Sequence, residues 1–407
     1  MKCSHCSNLL SHIFCDLQTC PPSNAMLKPE LINSQEAYFP LKVFVCEVCW
    51  LVQVDELEKA ESIFNNEYTY FSSFSTSWLQ HAKKYTDYMV HRFDYNSESL
   101  IVEIASNDGY LLQYFKNKNI PVLGIEPTAN TAKIAIEKGI ENIVDFFGSK
   151  LANEKLKGKA DLILGNNVLA HVPDVNDFVK GVKIALKPNG VNTFEFPHLC
   201  NMIELNQFDT IYHEHFSYLS LLSVKTIFEK VGLEIFDVQK LPTHGGSIRI
   251  FSKHVEDTSK VIEPSVHKLL EEEKSLGVDS LLYYQNFQEK VNTIKNDFIS
   301  FLIEQKSNNK KIIGYGAAAK GNTLLNYCGI KGNDLISFVV DASPHKQGKL
   351  LPGSRIPVLG KEEIENFKPD IIIIFPWNLK NEIMEQLQYT QSWGAKFVIA
   401  VPKLEIL

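Results

Sequence analysis

The 407-residue sequence lacks any long, uninterrupted apolar run. No stretch approaches the about 18–20 consecutive apolar residues that a membrane-spanning helix needs, and residues 1–10 contain no apolar core of the kind that a secretory signal peptide carries. An excess of positive charge is also missing, because the formal net charge is −7. These absences predict a cytoplasmic protein that has neither a membrane nor a nucleic-acid partner.

Cysteine is sparse, and six of the eight cysteines lie within residues 1–75. They include two CxxC pairs that are separated by 39 residues. In a reducing compartment, such pairs favour a metal site over disulfides, and four thiolates complete a closed tetrahedral zinc site. We therefore predict a structural Zn²⁺ ion with the ligands Cys3, Cys6, Cys46 and Cys49. His5 and Cys20 are weaker candidate ligands, and the alternative is a set of reactive or buried cysteines.

Alternating strand and helix patterns begin near Leu100. Short apolar runs at 100–105, 122–126, 161–166 and 191–196 are separated by helical stretches, and a helix precedes them at about 78–93. This alternation predicts an α/β fold with a doubly wound parallel sheet. Two later runs, 233–239 and 246–252, predict an antiparallel hairpin that closes the sheet.

A second alternation of strands and helices begins at residue 311. Its apolar runs lie at 311–316, 336–341, 370–375 and 396–401, of which the last is predicted to be the final strand. Between the two alternations lies a charged, amphipathic helical stretch. The predicted domains are a zinc-binding domain (1–75), a central α/β domain (76–255), a helical connector (256–309) and a smaller α/β domain (310–407).

A turn of small and polar residues follows the first strand of the central domain. Open α/β sheets bind ligands at the carboxyl ends of their strands, where small residues let the backbone approach the ligand. Ala105, Ser106 and Gly109 are the small residues of this turn, and Asn107 and Asp108 offer polar contacts. The turn does not follow the GxGxxG pattern, which disfavours a dinucleotide ligand.

This turn, the acidic residue before it and the acidic end of the next strand resemble those of class I S-adenosylmethionine-dependent methyltransferases. The NNVLAHVPD segment (166–174) has the same resemblance. That family commonly has glycine where Ala105 and Asn107 stand. The alternative is an ordinary doubly wound domain that binds another ligand. The predicted S-adenosylmethionine-binding residues are Glu103, Ala105, Ser106, Asn107, Asp108, Gly109, Glu126 and Asn166.

Residues 208–218 concentrate titratable side chains, with two histidines, a glutamate, two tyrosines and an aspartate in eleven residues. Histidine suits proton transfer because its pKa lies near working pH. Glu214 can accept a hydrogen bond from a substrate hydroxyl. A His-x-His spacing also occurs in metal sites, but no second cluster of ligands is evident nearby. His171 alone is more typical of a packed structural histidine.

Seven motifs in sequence order resemble those of the nucleotide-deoxysugar C-methyltransferases. They are CxxC…CxxC, YTYFSSFS, EIASNDG, NVLAHVPD, FEFPHLCNMIELNQFDTIYHEHFSYLS, HGGSIRIF and GYGAAAKGNTLLNY. The resemblance continues through DASPHKQGKLLPGSRIPV and covers essentially the whole chain. It implies a small zinc-binding domain, a class I methyltransferase domain and a C-terminal Rossmann-like domain, which together enclose a nucleotide-linked 4-keto-deoxysugar.

The resemblance also implies roles for individual residues in methyl transfer to carbon 3 of the sugar, beside the ketone. His215 matches the general base, Tyr212 and Glu214 match groups around the sugar, and His171 matches a histidine near the ketone. Tyr68 and Tyr70 are expected to close over the substrate. Backbone N–H groups at a helix N-terminus suit a diphosphate, which points to the loop that opens the C-terminal domain. The further predicted substrate residues are His244, Gly246, Arg249, Gly316, Lys320, Asn322, Lys346 and Arg355.

Each of these assignments has an alternative. A lone lysine or arginine can be a solvated surface charge, and Gly246 and Arg249 can serve packing. For the whole protein, the rivals are an O- or N-methyltransferase acting on a sugar or another metabolite, a nucleic-acid methyltransferase, and a scaffold without chemistry. The motifs specify neither the sugar, the nucleotide nor the oligomeric state. The acidic balance argues against nucleic acid, and the intact 212–215 cluster argues against a scaffold.

Overall fold

The computed structural model describes residues 1–57 and 70–407. The described residues form three β-sheets, and we refer to the lobes around them as N-terminal, central and C-terminal. Within the same residues, no helix combines the length and the apolar character that crossing a bilayer requires. Tyr68, which the sequence assigns to the substrate site, lies outside the described residues.

The N-terminal lobe is built on a four-stranded antiparallel sheet. Its strands are β1 (His12–Cys20), β2 (Phe39–Val45), β3 (Val52–Val54) and β9 (Ser217–Tyr218), in that spatial order. The apolar side chains of Leu41, Val43 and Val45 alternate along β2 and are buried. Because β9 belongs to the predicted central domain, this sheet crosses the boundary expected near residue 75. The domain boundaries themselves stay predictions.

The central lobe contains a seven-stranded sheet with the order β10-β11-β8-β7-β4-β5-β6. Its strands are β4 (Ile101–Ile104), β5 (Val122–Ile125), β6 (Asn142–Ile143), β7 (Ala160–Asn166), β8 (Leu186–Pro197), β10 (Leu233–Leu241) and β11 (Ser247–His254). Strand β11 runs antiparallel to both neighbours, which confirms the predicted hairpin. All four residues of β4 are buried because helices cover both faces of the sheet.

Helices of the central lobe connect these strands in the alternation that the sequence predicts. They are α1 (Thr76–Phe93), α2 (Leu112–Lys116), α3 (Ala129–Glu137), α4 (Ser149–Leu151), α5 (Val175–Ala185), α6 (Leu199–Glu204) and α7 (Leu221–Lys230). Strand order reverses at β4, since β5 lies on one side of it and β7 on the other. In a doubly wound sheet, such a reversal opens a ligand crevice at the carboxyl ends of the strands.

The connector consists of α8 (Pro264–Leu276) and α9 (Phe287–Ser307). Gly277 ends α8 in the left-handed conformation, with φ of +87°. The α9 helix packs on the N-terminal lobe, where Phe287 stacks on Phe14 with ring centroids 4.5 Å apart. One apolar core therefore includes side chains from the N-terminal lobe, the connector and the C-terminal lobe.

The C-terminal lobe contains a six-stranded sheet with the order β14-β13-β12-β15-β16-β17. Its strands are β12 (Ile312–Tyr315), β13 (Val339–Val340), β14 (Val358–Leu359), β15 (Ile371–Ile374), β16 (Lys396–Ile399) and β17 (Glu405–Ile406), and its helices are α10 (Ala319–Tyr327), α11 (Glu362–Phe367) and α12 (Lys380–Gln386). The expectation that the run at 396–401 holds the last strand is wrong, because β17 follows it and pairs antiparallel. Two residues are too short to produce a periodic pattern in the sequence.

A buried ion pair joins β8 to β11 in the central sheet. Arg249 and Glu195 are register partners, their charged groups are hydrogen-bonded, and both side chains are nearly inaccessible. Burial on its own would raise the pKa of Glu195, but the hydrogen bond from His81 and the charge of Arg249 lower this pKa to about 2. The guanidinium of Arg249 is thus engaged within the sheet, whereas the sequence assigned it to the substrate site.

The Arg249→Met variant should unfold more easily than wild type, because it leaves the Glu195 carboxylate buried without its cation. We expect the free energy of unfolding to fall by about 3–5 kcal/mol at neutral pH, measured by urea denaturation. The Glu195→Gln/Arg249→Met double variant should regain most of this loss. The folded-state pKa of Glu195 lies below its ordinary value of 4.5, so its contribution is present above pH 4.5 and is lost on acidification toward pH 2. Equal urea midpoints for wild type and Arg249→Met would contradict this account.

Candidate active site and zinc centre

A cavity of about 1430 Å³ opens at the carboxyl ends of β4, β5 and β7. Residues from all three lobes line it. Of the predicted site residues that the structure describes, those in the wall are Tyr70, Ala105, Asn107, Glu126, Asn166, His171, Tyr212, Glu214, His215, His244, Lys320 and Lys346. The fold therefore brings most of the predicted catalytic and cofactor residues to one space, which is large enough for more than one small molecule.

The turn after β4 is sharply bent. Ala105 and Asn107 both adopt left-handed backbone conformations, with φ of +57° and +49°. Glycine adopts this conformation at little cost, which explains why it is common at these positions in class I methyltransferases. At Gly109, with φ of +75°, a side-chain Cβ would lie 2.5 Å from Ile140 Cδ1, so both the backbone conformation and the space favour glycine there. The bend exposes the backbone of the turn to the cavity.

Glu126 is fixed at the end of β5 by backbone donors. Its Oε2 accepts from Asn107 N at 2.9 Å, and its Oε1 accepts from Thr128 N at 2.9 Å. Burial raises the pKa of Glu126, and the hydrogen bonds from Thr128 and Asn107 oppose that rise. The carboxylate lines the cavity in a fixed orientation, as a group that accepts ribose hydroxyls must.

Residues 70–73, which precede α1, lie on this turn. Ser72 N donates to Asn107 Oδ1 at 2.9 Å, and Asn107 Nδ2 donates to Tyr70 O at 3.2 Å. Ser73 Oγ also donates to Asp108 Oδ2. The side chains of Asn107 and Asp108 therefore hold residues 70–73, whereas the sequence assigned them to the cofactor.

Four predicted cofactor residues do not line the cavity. They are Glu103, Ser106, Asp108 and Gly109. Ser106 Oγ accepts from Asn142 Nδ2 at 2.9 Å, which ties the turn to β6. The side chain of Glu103 is fully buried, and this burial raises the pKa of its carboxyl well above the ordinary value. These residues shape the turn.

His215 makes two hydrogen bonds that define its tautomer. Its Nδ1 lies 2.9 Å from Thr210 O, which can only accept, so Nδ1 carries the proton. Its Nε2 is then an acceptor and lies 2.8 Å from the Tyr212 hydroxyl, which donates to it. The Nε2 lone pair is held in the cavity wall in the form that a general base requires.

Neighbouring groups keep His215 neutral. Removal from water lowers its pKa well below 6.5, and the charges that His171, Lys320 and His244 can carry lower it further. The rings of His171 and His215 meet edge to face, with centroids 4.6 Å apart. Burial also lowers the pKa of His171 and of His244 to about 4. At neutral pH the site therefore contains three uncharged imidazoles.

Lys320 brings positive charge to the cavity from the C-terminal lobe. Its Nζ donates to Asn378 Oδ1 at 2.9 Å and lies 4.2 Å from the centre of the Trp377 ring. The indole Nε1 of Trp377 donates in turn to Asp209 Oδ2 at 2.7 Å. Burial lowers the pKa of Lys320 to about 8, although the charge of Asp209 opposes this shift. Lys320 is thus a positioned ammonium group near the imidazoles.

The two histidines of the His-x-His sequence face different parts of the molecule. His213 Nε2 donates to the carbonyl oxygen of Pro40 at 3.2 Å, in the N-terminal lobe. Glu214, between them, accepts two hydrogen bonds from Asn24 Nδ2, at 2.7 and 2.9 Å. His213 and His215 bind separate partners, so the His-x-His spacing does not place the two rings on one metal ion.

Several predicted substrate residues lie outside the cavity wall. They are Gly246, Arg249, Gly316, Asn322 and Arg355. Arg355 Nε donates to Glu36 Oε2 at 2.9 Å. Its guanidinium therefore joins the C-terminal lobe to the N-terminal lobe, whereas the sequence assigned it to a phosphate. Asn322 is fully buried, and Gly316 and Gly246 have φ of +89° and +114°, which fits the packing alternative.

Trp78, Asn167 and Asn24 are among the residues of the cavity wall that sequence reasoning missed. Trp78 stacks on His81 and meets His244 edge to face, with ring centroids 5.0 and 5.1 Å apart. Asn167 Nδ2 donates to His244 Nε2 at 2.9 Å. Trp78 lies just after the YTYFSSFS motif, and Asn167 adjoins the predicted residue Asn166, so the sequence contains a signal for both. Nothing in the sequence around Asn24 marks it.

The four CxxC cysteines form a compact cluster. The sulfur atoms of Cys3 and Cys49 lie 3.5 Å apart, as do those of Cys6 and Cys46. All four lie within 4.8 Å of one another, and all are free thiols. Zn–S bonds of about 2.3 Å in a tetrahedron place sulfurs about 3.8 Å apart, so the cluster fits Zn²⁺. Four protein ligands leave no open position, which makes the zinc structural.

The weaker candidate ligands have other environments. His5 Nδ1 donates to Asn176 Oδ1 at 2.8 Å. Cys20 ends β1 and is buried, and it does not belong to the cluster. Gln53 Nε2 donates to Cys3 Sγ at 3.3 Å, and outer hydrogen bonds of this kind orient metal ligands.

A doubly wound sheet that ends in such a turn, with a cavity at the carboxyl ends of its strands, is the framework of class I S-adenosylmethionine-dependent methyltransferases. Three family models match consecutive parts of the chain: a zinc binding domain at residues 3–64, a methyltransferase domain at 78–238, and a C-methyltransferase C-terminal domain at 242–402. Their order is the one that the sequence motifs predict.

Curated relatives narrow the class. C-methyltransferase NovU from Streptomyces niveus is 35% identical over 389 residues, which is 95% of this chain and 92% of that protein. A ubiquinone biosynthesis O-methyltransferase from Nitrobacter winogradskyi is 29% identical over 115 residues, which is 26% of this chain and 44% of that protein. The chain belongs to the C-methyltransferase family that NovU represents, and it is an S-adenosylmethionine-dependent C-methyltransferase.

Solved structures of methyltransferases are similar at lower identity. Magnesium protoporphyrin IX methyltransferase from Synechocystis, with bound S-adenosylmethionine, is 13% identical, with a TM-score of 0.34 over 43% of this chain and 78% of that chain. An S-adenosylmethionine-dependent methyltransferase from Archaeoglobus fulgidus is also 13% identical, with a TM-score of 0.33 over 42% of this chain and 94% of that chain.

Removal of one zinc ligand should release the metal. In Cys46→Ser, we expect the zinc content to fall from about one ion per chain to a small fraction of one, because three thiolates no longer close the tetrahedron. Inductively coupled plasma mass spectrometry measures this directly, and differential scanning calorimetry should show a lower thermal midpoint. Cys328→Ser is the matched control, since Cys328 lies outside the cluster. Full zinc content in Cys46→Ser would contradict the assignment.

Proposed function

We propose that the protein methylates carbon 3 of a nucleotide-linked 4-keto-6-deoxysugar. The single observation that carries this proposal is the state of His215: a neutral imidazole whose Nε2 accepts a hydrogen bond in the wall of the cavity. Methylation at carbon requires a carbanion equivalent, which a carbon beside a ketone provides once a base has removed its proton. A neutral imidazole with an unprotonated Nε2 is such a base.

The residues around the β4 turn are those that would hold S-adenosylmethionine. The bent turn at Ala105 and Asn107 lets the cofactor approach the backbone, and the oriented carboxylate of Glu126 suits the ribose hydroxyls. Bound S-adenosylmethionine supplies an electrophilic methyl group. This chain's own contribution is to place the substrate carbon against that methyl group and to exclude water from the reacting atoms.

His215 takes the proton from carbon 3, and the C–H electron pair becomes the enolate of the neighbouring ketone. The Tyr212 hydroxyl occupies Nε2 in the structure, so substrate binding must replace that hydrogen bond. The Nδ1–H···O=C bond to Thr210 orients the ring and remains in place when the imidazole is protonated. Enolate formation moves negative charge to the ketone oxygen, which needs a donor or a cation nearby.

Lys320 and His171 are our candidates for the groups that stabilise negative charge on the ketone oxygen. Lys320 is held by Asn378 and by the face of Trp377, so its ammonium group is positioned before the reaction. The neutral ring of His171 lies beside His215 in the cavity wall, as a group near the ketone should. In this proposal, Glu214 accepts a hydrogen bond from a sugar hydroxyl. Tyr70 covers the sugar from the side of the turn after β4.

The nucleotide part of the substrate would lie against the C-terminal lobe. Ala318 and Ala319, at the N-terminus of α10, line the cavity together with Lys346. Lys346 Nζ donates to Ala317 O at 2.8 Å, which holds its ammonium group beside that helix end. Backbone N–H groups and a lysine at a helix N-terminus are a typical diphosphate environment. His244, bound to Asn167, would complete the wall between the sugar and the central sheet.

The sequence motifs left open an O- or N-methyltransferase that acts on a sugar or another metabolite, which membership of the C-methyltransferase family disfavours. Transfer to oxygen needs a single base near a hydroxyl, whereas this site adds a positioned cation and a second imidazole. The C-methyltransferase match over residues 242–402 also favours carbon as the acceptor. The atom that carries the new methyl group separates the two possibilities.

The first test combines purified protein, labelled S-adenosylmethionine and three substrates: the dTDP-, CDP- and GDP-linked 4-keto-6-deoxyhexoses. We expect one of them to gain a methyl group bound to the carbon beside the ketone, as located by mass spectrometry and ¹³C NMR. His215→Asn should lower kcat by at least about 10²-fold, because general-base catalysis is lost, while S-adenosylmethionine still binds.

His213→Asn is the matched control for this variant, because it alters a histidine two residues away that faces Pro40 instead of the cavity. It should retain most of the wild-type kcat. Normal turnover by His215→Asn would exclude His215 as the base. A methyl group found on oxygen would establish the rival function, and binding of S-adenosylmethionine without transfer to any ketosugar would overturn the substrate class.

The pH profile of kcat/KM should be bell-shaped. The acidic limb reports protonation of His215, so it should lie below pH 6.5, with the rate rising as pH increases through the pKa. The basic limb reports loss of the Lys320 charge and should fall near pH 8. Lys320→Arg should move the basic limb upward by more than about one pH unit, since arginine stays charged. A basic limb that does not move in this variant would assign it to another group.

A further inference from the structure

A short loop of the N-terminal lobe, residues 21–27, reaches the active site. It follows β1, and backbone hydrogen bonds hold its shape: Ala25 N donates to Pro22 O at 3.1 Å, and Met26 N donates to Asn24 O at 2.8 Å. Beyond it, Leu27 pairs with Leu350 of the C-terminal lobe through two backbone hydrogen bonds of 3.0 and 2.8 Å. The loop is therefore fixed at both ends, and Asn24 lies between the attachments.

The amide of Asn24 bridges both oxygens of Glu214. Its Nδ2 lies 2.7 Å from Oε1 and 2.9 Å from Oε2, and the side chain of Glu214 is 3% exposed. An amide donor orients the carboxylate but does not cancel its charge, as a lysine or an arginine in its place would. Two carboxylate oxygens offer about four lone-pair sites, so the hydrogen bonds from Asn24 take up only part of the acceptor capacity of this group.

Glu214 is next to His215 in the chain, and both residues line the same cavity as Asn24. A carboxylate that accepts a sugar hydroxyl sets how the sugar lies against the base. Small errors in such placement are costly, because proton transfer requires the carbon and the base to approach along a defined direction. The partner that fixes the direction of Glu214 therefore has a bearing on the rate.

We propose that Asn24 is a positioning residue of the active site. Through its hydrogen bonds, the N-terminal lobe orients the carboxylate of Glu214 toward a hydroxyl of the sugar. This inference rests on the proposed function, because it requires Glu214 to meet the substrate. It gives the N-terminal lobe a part in substrate geometry that comes in addition to packing.

A purely structural role for Asn24, as a latch between lobes, makes a different prediction. The N-terminal lobe has a second polar latch at Glu36, whose Oε1 accepts from Gly353 N at 2.7 Å and whose Oε2 accepts from Arg355 Nε at 2.9 Å. Glu36 and Arg355 do not line the cavity. Glu36→Gln therefore weakens the attachment of the lobe without touching Glu214, and it is the matched control.

The decisive variant is Asn24→Asp, which preserves the size of the side chain and replaces the donor by a second acceptor. With full-length protein and the ketosugar that wild type methylates, we expect kcat/KM for the ketosugar to fall about ten- to a hundredfold. The KM for S-adenosylmethionine and the zinc content should stay at wild-type values. Asn24→Ala should show a smaller loss in the same direction, and Glu36→Gln should leave both kinetic constants within about twofold.

A double-mutant cycle tests the route of the effect. If Asn24 acts through Glu214, Glu214→Gln/Asn24→Ala should be no slower than Glu214→Gln alone. Additive losses would overturn the inference, as would wild-type kcat/KM in Asn24→Asp, or an equal loss in Glu36→Gln. In each of these cases wild type still methylates the ketosugar, so the proposed function stands. If wild type methylates no ketosugar at all, the proposed function fails, and this inference fails with it.

Discussion

The pairing of β3 with β9 is the constraint on which the active site depends. Strand β9 follows His215 by one residue, and it forms the edge of a sheet that belongs to the N-terminal lobe. Val54 N donates to Phe216 O at 3.1 Å, so the pairing extends to the residue after His215. The segment that contains His215 is therefore attached to the N-terminal lobe by backbone hydrogen bonds.

Zinc acts on this segment through Gln53. Gln53 lies in β3 opposite Ser217, its Nε2 donates to Cys3 Sγ, and its Oε1 accepts from Ser4 N at 2.8 Å. A metal that orders the cysteine loops thereby also orders the strand on which the segment from Tyr212 to Tyr218 rests. The structural role of zinc and the chemistry of the cavity are joined by two hydrogen-bonded steps.

The cofactor side of the cavity shows a different compromise. Ala105 and Asn107 adopt backbone conformations that favour glycine, and the hydrogen bonds of Asn107 to Ser72 and Tyr70 offset the cost. A glycine at 107 would relax the backbone but would leave residues 70–73 without this attachment. The departure from the common pattern of the family is thus matched by a partner segment.

Much of the fold could be predicted from the sequence, because strongly periodic apolar runs and the paired CxxC spacing report local constraints. The cluster at 212–215 was also evident from its density of titratable groups. What could not be predicted depends on long-range contacts. Arg249 is buried in the sheet and binds Glu195, and Arg355 binds Glu36 of the N-terminal lobe. In the sequence, both arginines resemble cations that bind a substrate.

A sequence pattern also cannot predict which way the side chains of an irregular segment point. His213 and His215 differ by two positions and bind Pro40 and Tyr212, respectively, because the segment lies between two lobes. Asn24 is separated from Glu214 by 190 residues, and no motif surrounds it. The two-residue strand β17 carries too few residues for any periodicity.

The shared N-terminal sheet has a consequence for how such enzymes can be recombined. Sequence boundaries suggest a module that ends before residue 76, but its fourth strand is supplied by residues 217–218. A chimera that exchanged the zinc-binding segment alone would leave β3 facing a foreign edge strand, two residues from His215. The unit of exchange is therefore discontinuous, and the N-terminal segment and the stretch around β9 have to be inherited together.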